Sequence, residues 1–337
     1  VDNPSGGAAS TAPQGGFEAL SRDFESPVVY QWSLGFQRTL PWKLVADVNY
    51  VGNEARNLLR VRELNFVEPD PATGRAPTPI NVHRPYRGYG RIALNETTAE
   101  SDYQALQVAL NRRAGGALSF GAAYTLSRAR GDADSEDSTG SGSLPQDPRN
   151  PAANFGYQDF DRRHVLAVNY IWHVPSPAGN GALGRIVGGW QVSGITRYNT
   201  GRRLNITAGG TSNIFGDTVT IRANGVDGVD PNSAPAGGRT ESQWLNVAAF
   251  SRPAANTLGN LPRNAVVGPS FFSSDLSLIK NIPIKGRARL QLRAEAFNVF
   301  NRKNYRSIAT SITATNFGSV TRYESPRILQ FGAKILF

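Results

Sequence analysis

The chain has 337 residues, 39% hydrophobic and only 18% charged, with 35 glycines, 21 prolines and a formal net charge of +10. That profile fits a loop-rich all-β protein or a transmembrane β-barrel with a polar lumen, and no apolar run approaches the roughly 18–20 residues a spanning helix needs. Cysteine is absent, which excludes a disulfide scaffold, a thiolate metal site and a cysteine nucleophile.

Residues 1–27 are rich in Gly, Ala, Ser and Pro and are expected to form a flexible segment. The opening VDNPSGG has neither a methionine nor the charged and apolar regions of a leader, so the chain is expected to be a processed or truncated piece. Strict alternation starts at VVYQWSLGFQRTL, with Tyr30, Trp32, Leu34 and Phe36 on one face and Gln31, Ser33, Gly35 and Gln37 on the other. After Pro41 it resumes in WKLVADVNYVG, where Leu44, Ala46, Val48 and Tyr50 share a face, so the two runs form a hairpin.

Residues 52–100 have little pattern and are expected to be a long loop. SDYQALQVALNRR alternates without a clear choice of face, and its partner ALSFGAAYTLSRA follows after the short turn RRAGG. A second long loop covers about 129–162. In HVLAVNYIWHV the set Leu166, Val168, Tyr170 and Trp172 is the stronger lipid-facing candidate. A medium turn leads to GWQVSGITRYNTGRRLNIT, and a third loop covers about 209–270. SSDLSLIKNIPI and RARLQLRAEAFNVFN flank a short turn around Pro283 to Gly286. A last loop, about 301–326, precedes the terminal ILQFGAKILF.

About nine strands result, and their connections alternate short and long with few exceptions. Outer-membrane barrels show that parity, with short periplasmic turns and long outer loops. A soluble barrel would put its apolar residues inside. Here a continuous apolar face opposes one bearing Arg289, Arg293 and Glu295, the candidates for a wet lumen. Trp32, Trp42, Trp172, Trp190 and Phe337 fall near strand ends, where interfacial aromatic girdles sit.

RAEAFNVFNRKNY at 293–305 resembles the penultimate-strand signature of TonB-dependent outer-membrane receptors, most closely their Oar-like subfamily. FGYQDFDRRHVLAVNYIWHVP at 155–175, GGWQVSGITRYNTGRRLNIT at 188–207 and the hairpin SDYQALQVALNRR with LSFGAAYTLSRA are similar to preceding strands of that group. The terminal alternation of Phe331, Ile335 and Phe337 resembles the signal read by the barrel-assembly machinery. The resemblance covers roughly 28–337 and implies the C-terminal part of a receptor barrel, for energy-coupled uptake of a large solute across the bacterial outer membrane. Full receptors have about 22 strands, a plug and a coupling segment, and this sequence carries no counterpart of the last two.

A single-chain bacterial barrel normally has an even count, and nine strands from one chain are expected to leave two unpaired edges, which lipid does not tolerate. The expected partners are therefore the remaining barrel strands and plug, or other copies of the chain pairing edge to edge, besides outer-membrane lipid and lipopolysaccharide. A released, self-assembling fragment is the alternative reading. Arg162 and Arg163 are expected at the outer headgroup level, beside lipopolysaccharide phosphates.

Other chemistry is sparse. GDADSEDSTG offers Asp132, Asp134, Glu136 and Asp137, but an EF-hand needs Gly at its sixth position and Glu at its twelfth, which here are Asp137 and Ser143. A solvated loop is the better reading, as it is for Asp227 and Asp230. His83, His164 and His173 have no metal-ligand spacing, and no nucleophile–base–acid set is visible. The sequence implies no cofactor, no enzyme and no nucleic-acid partner, since the arginines are scattered and no recognition motif is present.

Overall fold

The computed structural model describes residues 15–112, 116–132, 144–175, 182–212, 214–285 and 288–337. Nine strands form one antiparallel meander in which every strand pairs with its sequence neighbours. They are β1 (Val28–Leu40), β2 (Leu44–Glu63), β3 (Ile92–Arg112), β4 (Leu118–Gly131), β5 (His164–His173), β6 (Trp190–Asn199), β7 (Phe271–Lys285), β8 (Ala288–Phe297) and β9 (Ile328–Leu336). β1 and β9 are the two edges. This is the up-and-down arrangement of an outer-membrane β-barrel, with the connection parity read from the sequence.

Short connections lie at one end. Residues 41–43 make a tight turn, with Trp42 and Lys43 in the left-handed region. Residues 174–189 include the helix Ala182–Val187. The long connections 64–91, 132–163, 200–270 and 298–327 all lie at the other end.

The register sorts side chains by chemistry. Phe36, Val48, Val108, Tyr124, Leu166, Tyr198 and Phe272 form one continuous row across seven strands. Val192, Leu278, Ala294 and Phe331 continue the same face to the far edge. On the opposite face Asn49, Gln107 and Thr125 align, as do Ser193, Ser277, Glu295 and Gln330. Because side chains alternate with period two, every apolar residue of the belt falls on the same side only in this register. Two aromatics of the belt lie over glycines: a Cβ at Gly52 would come 2.4 Å from the Trp32 indole, and one at Gly194 would come 2.7 Å from the Tyr170 hydroxyl. Glycine at these positions is what lets each ring lie flat on the sheet.

The belt is not a buried core. Leu34 and Phe331 are each 77% exposed. The buried apolar core lies instead in the long connections. Leu204, Ile206, Ala223, Trp244, Leu245, Ala249, Phe250, Leu261, Val266 and Ile308 pack together, and Phe250 meets Phe317 edge to face at 5.8 Å. A second cluster, around Ile214 and Phe215, adjoins it. Residues 200–270 and 305–323 thus build a cap with a soluble-protein interior, pinned by short ladders such as Asn224–Gly225 with Phe250–Ser251.

Two expectations need correction. The region 52–100 is not one loop: β2 and β3 are 20 and 21 residues long and continue as a paired ribbon through Glu63 and Ile92. A barrel strand needs only about 9–11 residues to cross hydrocarbon, and the residues past Arg56 on β2 and before Ser101 on β3 extend beyond the pairing with β1 and β4 as a projecting ribbon. The stretch 209–270 is likewise structured rather than open loop. Within the segment read as flexible, Phe17–Leu20 pairs in parallel with Ile92–Asn95 of the projecting ribbon.

Leu245 is 1% exposed in the cap core. Leu245→Ala should destabilise the cap by about 2–5 kcal/mol, while the strand ladders of the nine-stranded sheet hold. Hydrogen exchange would then quicken at residues 220–226 and 244–250 and stay unchanged in β4 to β6.

Candidate functional site at the long-loop end

The projecting ribbon carries charges at alternate positions, and the folded chain buries them as a linked set. Arg60 Nη1 donates to Asp132 Oδ2 at 2.7 Å, and Arg60 Nε lies 3.5 Å from Glu96 Oε1. Arg62 Nη2 donates to Glu96 Oε2 at 2.9 Å, and Thr98 Oγ donates to Glu96 Oε1 at 2.9 Å. The second oxygen of Asp132 accepts the Glu100 N–H at 2.9 Å. Asp132 is therefore a structural acceptor that ties the end of β4 to β2 and β3. The remaining acidic candidates of that stretch, Asp134, Glu136 and Asp137, lie outside the described residues.

A second knot holds the 64–91 connection. Glu63 Oε1 accepts the N–H groups of Asn65 and Ile92, each at 2.9 Å, and Oε2 lies 3.1 Å from Arg91 Nε. Asn65 Nδ2 donates to the Gly90 and Tyr86 carbonyls, while Arg84 bonds the Asn65 carbonyl and pairs with Asp217 at 2.8 Å. A third knot joins Asp161 to Arg203 at 2.9 Å, with the Arg203 guanidinium 3.5 Å from the centre of the Tyr157 ring. Removing one partner from a buried pair of this kind costs about 3–5 kcal/mol. These knots set the cap on the ends of the strands.

Two carboxyls of the knots are shifted in opposite directions. Burial pushes Glu96 up, but bonds from Arg62 and Thr98 and the charges of Arg62 and Arg60 outweigh it and hold the carboxyl below its ordinary value. Burial dominates at Glu63 and raises it, against the lowering from its two backbone donors, with Asp217 adding repulsion.

The polar face of the sheet continues below the cap. Arg289, Gln291, Arg293 and Glu295 alternate along β8 on that face, beside Asn281, Ile279 and Ser277 of β7. Arg293 Nε donates to Gln291 Oε1 at 2.7 Å, and Ser277 Oγ donates to Glu295 at 3.4 Å. No ion pair among the described residues joins Arg293 to Glu295; the register-fixing pair on this face is Arg197 with Asp275, 3.5 Å apart. A depression of about 330 Å³ runs along the face past Asn169, Ser193, Asp275, Ser277 and Glu295.

The aromatic candidates occupy two levels. Trp42, Trp172, Trp190 and Phe337 stand at the short-turn end, and Phe337 is 95% exposed. Trp32 stands near the other end, opposite Gly52. Phe331 and Ile335 share the apolar face of β9. Tyr198, Phe272 and Phe300 add to the upper level, with Arg302 stacked on Phe272 at 5.4 Å. At the same level His164 Nδ1 is 2.8 Å from the Tyr124 hydroxyl. Arg162 and Arg163 lie just before β5, where their carbonyls accept bonds from Ser127. Burial and the neighbouring Arg202 charge lower the Arg162 guanidinium pKa. Among the described residues no group of three or more His, Asp or Glu side chains is placed to hold a metal ion.

The sequence reading missed Arg60, Glu63 and Glu96. Its available signal was the alternation of Arg60 and Arg62 and of Glu96, Thr98 and Glu100, which is the period of a strand, inside a region otherwise without apolar pattern.

A family described as an outer membrane beta barrel domain matches residues 1–330. No curated protein sequence matches the chain. Among solved structures, the outer membrane transporter YddB from Escherichia coli is similar with a TM-score of 0.52 and 13% identity, over 95% of this chain and 34% of that one. The FrpB iron transporter from Neisseria meningitidis gives 0.41 and 12% identity over 94% and 32%. The ferric-catecholate import receptor Fiu from E. coli gives 0.42 and 13% over 93% and 28%. The chain thus spans about a third of the length of these proteins, and at such identities the likeness is one of fold.

The opposite shifts at Glu96 and Glu63 set a pH dependence. Glu96 contributes stability that is present above the ordinary carboxyl value and is lost as pH falls through its lowered folded value. Glu63 contributes stability at low pH that is lost as pH rises from the ordinary value through its raised folded value. In a pH series of proteolytic cleavage within residues 58–100, Glu96→Gln should flatten the acid-side opening. Glu63→Gln should instead flatten the loss of resistance as pH rises toward neutral.

Proposed function

The chain belongs to the outer membrane β-barrel domain family and lies in the bacterial outer membrane, and from that premise we propose that it forms part of the wall of a TonB-dependent receptor for energy-coupled uptake of a large solute. The observation that carries this reading is the combination of a nine-stranded meander with two unpaired edges and a capped long-loop end. Unpaired edges of this length are not tolerated in lipid, so both must find a partner strand. In the proposed assembly the remaining strands and a plug come from the rest of the receptor. The apolar face meets lipid and the row Arg289, Arg293 and Glu295 lines the lumen, where it guides charged solutes and water. Trp42, Trp172, Trp190 and Phe337 anchor the periplasmic interface and Trp32 the outer one, and the alternation ending in Phe337 engages the barrel-assembly machinery. Arg162 and Arg163 lie where outer-leaflet lipopolysaccharide phosphates would pair with them. Solute specificity would reside in the cap and the plug.

A second reading keeps the fold and changes the partner. β1 and β9 each expose a long unpaired edge flanked by apolar side chains, and such edges also pair copies of one chain.

Cysteine cross-linking separates the readings, because the chain has no native cysteine. Single cysteines replace Gln31, Ser33 or Gly35 on β1 and Gln330, Gly332 or Lys334 on β9, and the products are sized after oxidation in native membranes. Transport predicts links from both edges to other strands of a plug-bearing receptor, and self-assembly predicts links to another copy. An internal β1–β9 link within an isolated monomer contradicts both readings.

A further inference from the structure

A cavity of about 270 Å³ lies between the stretch 144–154 and the cap, and Arg91, Gln146, Asn154, Asn205, Arg222 and Arg263 are among the residues lining it. Its chemistry is unlike that of the three knots. Those pair each arginine with a carboxylate, whereas Arg222, one of two buried arginines here, pairs with none among the described residues. Arg222 is 8% exposed; its Nε donates to the Leu261 carbonyl at 2.9 Å and its Nη1 to Asn154 Oδ1 at 2.8 Å. Its Nη2 makes no hydrogen bond among the described residues, and no described carboxylate lies within ion-pair distance. The charge that acts on it is another cation, Arg263; this and burial lower the Arg222 pKa. Asn205 Oδ1 is buried without a hydrogen-bond partner among the described residues.

A buried guanidinium without an anion is costly, and an arginine donor facing an anion makes a bond about twice as strong as a neutral one. The unused acceptor of Asn205 adds a selection rule: the ligand must also carry a proton to donate. Bare chloride and a fully deprotonated monocarboxylate do not satisfy both groups. Phosphate near neutral pH does, because it retains at least one proton.

We propose that this cavity is a binding site for a small protonated oxyanion, with phosphate the best match, held by Arg222 and donating to Asn205. The site locks the cap to the connection between β4 and β5, because Arg222 belongs to the cap strand Val219–Arg222 while Asn154 and Gln146 belong to that connection. It stands independently of the transport reading.

The test titrates the whole chain in detergent micelles with inorganic phosphate at constant ionic strength, followed by calorimetry and by the thermal midpoint. Saturable binding with one site per chain and a raised midpoint is expected. Arg222→Gln should weaken binding about tenfold or more. Asn205→Asp places a carboxylate in the cavity and should abolish binding with the strand signal in circular dichroism intact, so it carries the test if Arg222→Gln does not fold. Inositol hexakisphosphate and lipopolysaccharide micelles distinguish the source: a free small ion predicts heat from phosphate alone. The proposal is overturned by absence of saturable phosphate binding to the folded chain, by binding that both variants leave unchanged, or by heat from the bulky phosphates alone. Binding that appears only after Asp134, Glu136 and Asp137 are changed to amides also overturns it, since the chain's own carboxylates would then be the ligand.

Discussion

The backbone of a strand in hydrocarbon must have every N–H and C=O bonded to another strand. The rest of the structure follows from that constraint. It requires a meander rather than a sandwich, because each spanning strand has to find both neighbours. It also fixes the register, since a slip of one residue would turn Phe36, Val108 and Tyr124 into the lumen and Asp47, Asn49 and Gln107 into lipid. The seven inner strands meet the requirement on both sides, and β1 and β9 meet it on one. The functional reading therefore turns on what supplies the other side.

Outside the membrane water returns and the constraint relaxes, so the chain can fold as a soluble protein does. β2 and β3 run on as a ribbon whose charges are neutralised in pairs, and the cap buries Trp244, Leu245 and Phe250 in an apolar interior. One chain thus uses two stabilising schemes that meet at the strand ends. The ionic knots of Arg60, Glu63 and Asp161 occupy that boundary. There the geometry must be specified without an apolar stripe to do it.

Much of the barrel was legible in the sequence because period-two alternation is local and is carried by the residues themselves. Trp32, Leu34 and Phe36 announce a lipid face with no knowledge of their neighbours. The cap was not legible for the opposite reason. Its core joins Leu204, Trp244, Leu261 and Ile308, which are far apart in sequence and lie in short strands or irregular segments with no sustained period. The ribbon was missed because its alternation is of charges rather than apolar residues. Arg289, Arg293 and Glu295 alternate on one face of β8, yet Arg293 bonds Gln291 rather than Glu295. That choice depends on rotamers, which the sequence does not display.

The most direct test of the account is the direction in which the two faces of the sheet point. Single cysteines at Leu106, Gln107, Val108, Ala109 and Leu110 of β3, in the otherwise cysteine-free chain, can carry a fluorophore in lipid vesicles with brominated acyl chains. The account predicts strong quenching at Leu106, Val108 and Leu110 and weak quenching at Gln107 and Ala109. Uniform quenching along the strand, or the inverse alternation, would contradict it.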